Sequence, residues 1–216
     1  MNDRFDLLVF DWDGTLFDSV GFIAECVQRA AEDCGFPVPD DARAKSIIGL
    51  SLMESMQALY PGSPPDWAER MARSYRGFFN ARPVAEIVLF DGVVEMLEEL
   101  RGRGYKLAVA TGKARAGLDA CLVSTGTAHL FHSTKCADET ASKPDPAMLF
   151  QLLDELAVGR ERTLMIGDST HDLRMARNAG IAAVAVSCGA NQPDDLAEFE
   201  PLACLSATTD LLKLFE

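Results

Sequence analysis

Leu7-Leu8-Val9-Phe10-Asp11-Trp12-Asp13-Gly14-Thr15 is an apolar run that stops at two carboxylates spaced i, i+2, followed by a glycine and a hydroxyl. Four consecutive apolar residues bounded by a turn signal read as a fully buried strand. Alternate residues of a strand point to the same side, so Asp11 and Asp13 can face one site. Two carboxylates at the end of a buried strand repel each other and lose hydration, and they persist where a cation or a reaction uses them. The competing reading is an Asp-Gly turn closing a hairpin. Leu16-Phe17-Asp18-Ser19 and the helical pattern beyond it do not look like a returning strand.

Outward from this segment, strand-like runs recur at Lys106 to Ala110, Thr163 to Ile166 and Ala182 to Val186, with Leu202 to Leu205 weaker. Between them, apolar residues at helical spacing predict helices over Val93 to Arg103, Ala114 to Thr125, Pro146 to Leu156 and Asp172 to Ala179. Gly104, Gly126, Gly159 and Gly180 stand where C-terminal stops belong. Strands alternating with helices imply a doubly wound α/β core, a parallel sheet covered on both faces. The first strand breaks the rhythm, because a long stretch without a strong strand pattern separates it from Lys106. That stretch predicts cap helices over Val20 to Cys34, Asp41 to Ile48, Leu52 to Leu59 and Pro65 to Asn80, punctuated by Pro37, Pro39, Pro61, Pro64 and Pro65. The expected division is a core of residues 1–16 and 84–216 and an inserted α-helical cap of residues 17–83. The hinges are expected near Leu16 to Ser19 and Ala81 to Phe90, with Pro83 near the exit.

A chain of 216 residues with 48% apolar and 25% charged residues has the composition of an ordinary globular protein. No apolar stretch approaches a membrane span, and Asp3, Asp6, Asp11 and Asp13 come too early for a signal peptide, so the expected location is cytoplasmic. Six scattered cysteines form no C-x-x-C pair and fit a reducing compartment. A net charge of −13 disfavours nucleic acid, since phosphate backbones are bound by clustered Lys and Arg. It equally opposes any small anionic substrate unless local cations, such as a bound divalent ion, offset it. A monomer or weak homodimer is the expected state.

Ligands of open α/β sheets bind outside the carboxyl ends of the strands. The residues following each apolar run are Asp11 and Asp13, then Thr111-Gly112-Lys113, then Gly167-Asp168-Ser169-Thr170-His171-Asp172. A hydroxyl and free backbone amides at Thr111-Gly112 suit phosphate oxygens. Each segment has a plainer reading. Thr111-Gly112 fits an ordinary strand-to-helix turn, Asp168 or Ser169 a helix cap, Asp172 a first-turn acid, and Lys143 a solvated loop ahead of an Asp145-Pro146 helix start. All of these would have to hold at once.

In this order and at these separations, Asp11-x-Asp13-Gly14-Thr15, Thr111, Lys143-Pro144 and Gly167-Asp168-x-x-x-Asp172 resemble the four motifs of the haloacid-dehalogenase-like hydrolase superfamily. The resemblance covers essentially the whole chain. The helical insert, Phe17-Asp18-Ser19 and Leu89-Phe90-Asp91-Gly92-Val93 are similar to the phosphoglycolate-phosphatase-like branch, although Asp91 replaces the proline often found there. The resemblance implies a Rossmann-like core and hydrolysis of a small phosphorylated metabolite. It implies Asp11 as nucleophile, with Asp13 protonating the leaving alkoxide and then taking a proton from water. It further implies Mg2+ held by Asp11, Asp168 and the Asp13 carbonyl, with Asp172 behind them orienting a metal water or Lys143. Thr111, Gly112 and Lys143 would bind the phosphoryl group.

An aspartate at position 13 argues for a phosphate ester rather than C-halogen or C-P cleavage, by the same resemblance. Specificity is expected in the cap and its rim: Gly49 in the Gly49-Leu50-Ser51 turn, Arg76, Arg82, and Lys113 on the core. For each arginine the competing reading is a solvated helix face. Two rival functions remain at this point. One is a β-phosphoglucomutase-like phosphotransferase, and the other a non-catalytic, phosphate-responsive binding protein.

Overall fold

The computed structural model describes residues 4–82 and 88–215. The cap-to-core boundary at 83/84, Pro83 and residues 83–87 of the second hinge lie outside the described residues. Strand β1 is Leu7–Phe10, followed by α1 Val20–Asp33, α2 Asp41–Lys45, α3 Leu52–Leu59, α4 Pro65–Ala81 and α5 Val93–Gly102. Then come β2 Lys106–Thr111, α6 Arg115–Thr125, β3 Ser133–Cys136, α7 Ala147–Leu156 and β4 Thr163–Gly167. The chain ends with α8 Thr170–Ala179, β5 Ala182–Val186, α9 Pro193–Ala197, β6 Cys204–Leu205 and α10 Leu211–Leu214.

All strand pairs are parallel, in the order β3-β2-β1-β4-β5-β6. β1 is central and buried at every residue, which is why it reads as a continuous apolar run rather than an alternating one. Its side chains divide by parity. Leu8 and Phe10 join the apolar cluster of α5, α6 and α10, whereas Leu7 and Val9 join that of α7 and α8. Both faces are therefore covered, as the doubly wound reading requires. Helices α1 to α4 gather a separate cluster around Val27, Ile47, Met56, Trp67 and Met71. Among the described residues, no helix is long and apolar enough to cross a membrane.

Several elements differ from the sequence expectation. β3 was not expected: it is a short edge strand, half-buried and polar, so no apolar run marks it. The helix expected over Asp41 to Ile48 stops at Lys45, and the chain turns so that Ile47 and Ile48 are buried and Gly49 takes φ 103°. Gly159 is not the stop of α7, because Ala157 itself takes the left-handed conformation at φ 52°. α8 starts two residues before the expected Asp172, at Thr170, capped by Ser169.

Candidate active site

β1 lies between β2 and β4 in register, with Phe10 opposite Val109 and Ile166. The three carboxyl ends therefore stop at one level, and Asp11, Thr111 and Asp168 emerge beside one another. This is the point where the strand order reverses, the crevice in which such sheets bind ligands.

Asp11 is 1% exposed, and the ammonium of Lys143 lies 2.7 Å from its Oδ1. The same ammonium donates to Asp172 Oδ1 at 2.6 Å. Lys143 comes from the loop between β3 and α7, and it is buried, which removes the solvated-loop reading. Asp168 accepts from the Thr15 hydroxyl at 2.7 Å and from the Ala190 N–H at 2.7 Å. Asp172 caps α8 reciprocally with Ser169, whose N–H and hydroxyl donate to Oδ2 at 3.0 and 2.6 Å. Asp172 thus does two things: one carboxylate oxygen caps α8, and the other faces Lys143.

Burial, then the charge of Asp172, pushes the Asp11 carboxyl well above the usual range, with Lys143 pulling the other way. Asp168 is pushed up to about 7 by burial and by Asp172, against the hydrogen bonds from Ala190 and Thr15. For Lys143 burial opposes the charge, but Asp11 and Asp172 outweigh it and the value rises. Asp11, Asp168 and Asp172 each present a carboxylate oxygen within 4.8 Å of one another. Lys143 is the cation paired within that group. Hard oxygen donors with excess negative charge are the donor chemistry of a magnesium-type ion.

Asp13 lines the same cavity as Asp11 but has partners of its own. Its carboxylate accepts from the Ser19 hydroxyl at 2.6 Å and pairs with Lys113, whose Nζ is 2.9 Å from each oxygen. Lys113 also lies 5.2 Å from the centre of the Phe79 ring, so a core lysine meets a cap aromatic over the site. Gly14, at φ 78°, lets the chain pass Asp168: a Cβ there would sit 2.3 Å from Oδ2.

The cap residues close against this rim. A Cβ on Gly112 would meet the carbonyl oxygens of Gly49 and Leu50 at 2.4 and 2.5 Å. The Ser51 N–H donates to Ser142 Oγ at 2.8 Å, and His171 Nε2 lies 3.1 Å from the Ser46 carbonyl. Between cap and core lies a cavity of about 520 Å3 that reaches Asp11, Asp13, Thr111 and Lys113. Gly49 and Arg76 line it, whereas Arg82 lies over the Phe22 ring and is not among its lining residues. Asp91 is exposed and does not line it either. Sequence reasoning missed Ser19 as the partner of Asp13 and Thr15 as the partner of Asp168. Both lie in the Gly14-to-Ser19 turn after β1, whose polar residues were the available signal.

The fold and the site together define a hydrolase built on a doubly wound sheet with a helical insert over its strand ends. Residues 8–186 match the model of the haloacid dehalogenase-like hydrolases, and the chain belongs to that family, as a phosphatase of the phosphoglycolate-phosphatase-like branch. It is 35% identical over 210 residues to a protein of Dickeya dadantii named Probable phosphatase IndB, covering 95% of this chain and 91% of the relative. It is 34% identical over 202 residues to a 5'-nucleotidase of Pseudomonas aeruginosa, covering 92% and 90%. A crystal structure of a predicted phosphoglycolate phosphatase from Haemophilus somnus superposes with a TM-score of 0.87 at 26% identity, over 98% of each chain.

Proposed function

We propose that this chain hydrolyses a small organic phosphate monoester through a phosphoryl group carried on Asp11, with Mg2+ as its metal. The observation that supports this most is the group of three buried carboxylates, Asp11, Asp168 and Asp172, two of which, Asp11 and Asp172, share the ammonium of Lys143. Asp11 and Asp168, with the Asp13 carbonyl, would hold the ion, and Asp172 would orient Lys143. When bound, the ion neutralises charge between an anionic nucleophile and a phosphate dianion.

Asp11 attacks phosphorus, forming the P–O bond of an aspartyl-phosphate as the bond to the leaving alkoxide breaks. Asp13 gives the alkoxide its proton and then takes one from the water that cleaves the aspartyl-phosphate. Ser19 and Lys113 hold the Asp13 carboxyl in place for this exchange. Thr111 and the amides at Gly112 donate to phosphoryl oxygens, and Lys143 offsets their charge from the opposite side. Closure of the Gly49-to-Ser51 turn on Gly112 and Ser142 keeps other water out.

The test is release of free phosphate from a panel of esters, hexose 1-phosphates included, by the purified chain with magnesium. Hydrolysis is expected, with an acid-stable radiolabel trapped on Asp11 and none released by Asp11→Asn. Undiminished turnover by folded Asp11→Asn, or isomerised sugar in place of free phosphate, rejects the reading.

A further inference from the structure

The walls of the cavity carry information that its floor does not. The floor is polar: Asp11, Asp13, Thr111 and Lys113. The walls are supplied by the cap and include Val27, Ile47, Leu50, Met53, Tyr75 and Phe79. The Tyr75 and Phe79 rings stack with centroids 5.7 Å apart and an interplanar angle of 28°. Lys113, one cation of this lining, is already paired with Asp13, and Arg76, the other, is exposed on α4. A volume of about 520 Å3 lies within the span of pockets that enclose drug-sized molecules.

We propose that the leaving group of this enzyme is a bulky, largely apolar alcohol, aromatic or branched, and not a short carboxylated one. The inference rests on the phosphomonoesterase reading and names its substrate class. A short carboxylated leaving group would leave the apolar walls facing water and would find the lining ammonium of Lys113 already engaged by Asp13. A ring or branched body removes those walls from water, and apolar burial is then the source of selectivity. The phosphoryl end occupies the floor, and the organic body lies against Leu50, Met53 and the Tyr75–Phe79 pair.

The experiment compares 1-naphthyl phosphate, methyl phosphate and phosphoglycolate with magnesium, in wild type and in Met53→Trp and Leu52→Trp, both partly buried wall residues outside the Gly49-to-Ser51 turn and the catalytic set. The expected result is kcat/KM for 1-naphthyl phosphate at least about tenfold above the other two, falling at least about tenfold in a folded tryptophan variant. Methyl phosphate hydrolysis stays within about threefold of wild type in that variant, since the floor is untouched. Equal or faster turnover of phosphoglycolate, or no loss of naphthyl selectivity in either folded variant, overturns the inference while leaving the phosphatase reading intact. Binding to Asp11→Asn by calorimetry separates the two. If no ester is turned over, the phosphatase reading fails, and tighter binding of 1-naphthyl phosphate than of phosphoglycolate still supports the assigned cavity; the reverse order overturns it.

Discussion

Lys143 Nζ lies 2.7 Å from Asp11 Oδ1 with both side chains sealed from solvent, and it is the cation shared with Asp172. A buried charge pair of this kind is costly to break because the partner left behind is uncompensated. Lys143→Met is expected to destabilise the metal-free protein by about 3 kcal/mol and to abolish turnover. Excess Mg2+ should restore part of the stability and none of the activity. Urea unfolding with EDTA and with magnesium measures both, and an unchanged midpoint in EDTA refutes the coupling.

Asp11→Asn has the opposite sign. Burial and Asp172 already disfavour the Asp11 charge, so a neutral isostere relieves repulsion among the three aspartates. The variant is expected to be inactive yet to melt at or above the wild-type temperature in EDTA. A clear fall in melting temperature contradicts the electrostatic account.

Gly112→Ala acts through the closure of cap on core. The added Cβ would fall 2.4 Å from the Gly49 carbonyl oxygen, against backbone that cannot rotate away. Displacement of about 1 Å in a positioned site costs on the order of 100-fold in rate. The expected result is a loss of at least about tenfold in kcat/KM with little change in unfolding free energy. Wild-type kinetics in this variant would show that the contact is not formed during turnover.

Glu139 supplies a pH dependence away from the site. Its carboxylate accepts from Arg115 Nε at 3.0 Å and Nη2 at 2.6 Å and from the Cys136 N–H at 3.0 Å, tying the end of β3 to the start of α6. The Arg115 hydrogen bonds hold the Glu139 carboxyl below its usual 4.5. A depressed carboxyl contributes stability that is present above the unfolded value and is lost as pH falls through the folded one. The pair is partly exposed and screened, so Glu139→Gln should cost about 1 kcal/mol at pH 7. The difference from wild type should shrink as pH falls below 4.5, read by urea unfolding.

The Leu7–Phe10 run, the glycine stops at Gly126 and Gly180 and the alternation of helix and strand were legible because each is a local pattern with a local cause. β3 was not, because an edge strand buries too little to show a hydrophobic period. The early end of α2 was not, because Ile47 and Ile48 continue an apolar pattern while the chain bends to deliver Gly49 to the core. Taken singly, Asp172 also fitted a helix-dipole acid, and Lys143 read as a solvated loop residue. Which of them also faced Asp11 depended on packing between segments far apart in the chain.

The sequence alone determined that an apolar strand ends in Asp11 and Asp13, and that further strands end in Thr111 and Asp168, since strand periodicity and turn chemistry act over a few residues. Only the tertiary structure decided that Lys143 sits between Asp11 and Asp172, that Lys113 and Ser19 hold Asp13, and that the cap encloses an apolar cavity. Those relationships come from strand register and cap closure, which bring distant residues within hydrogen-bond reach, and no local spacing encodes such a distance.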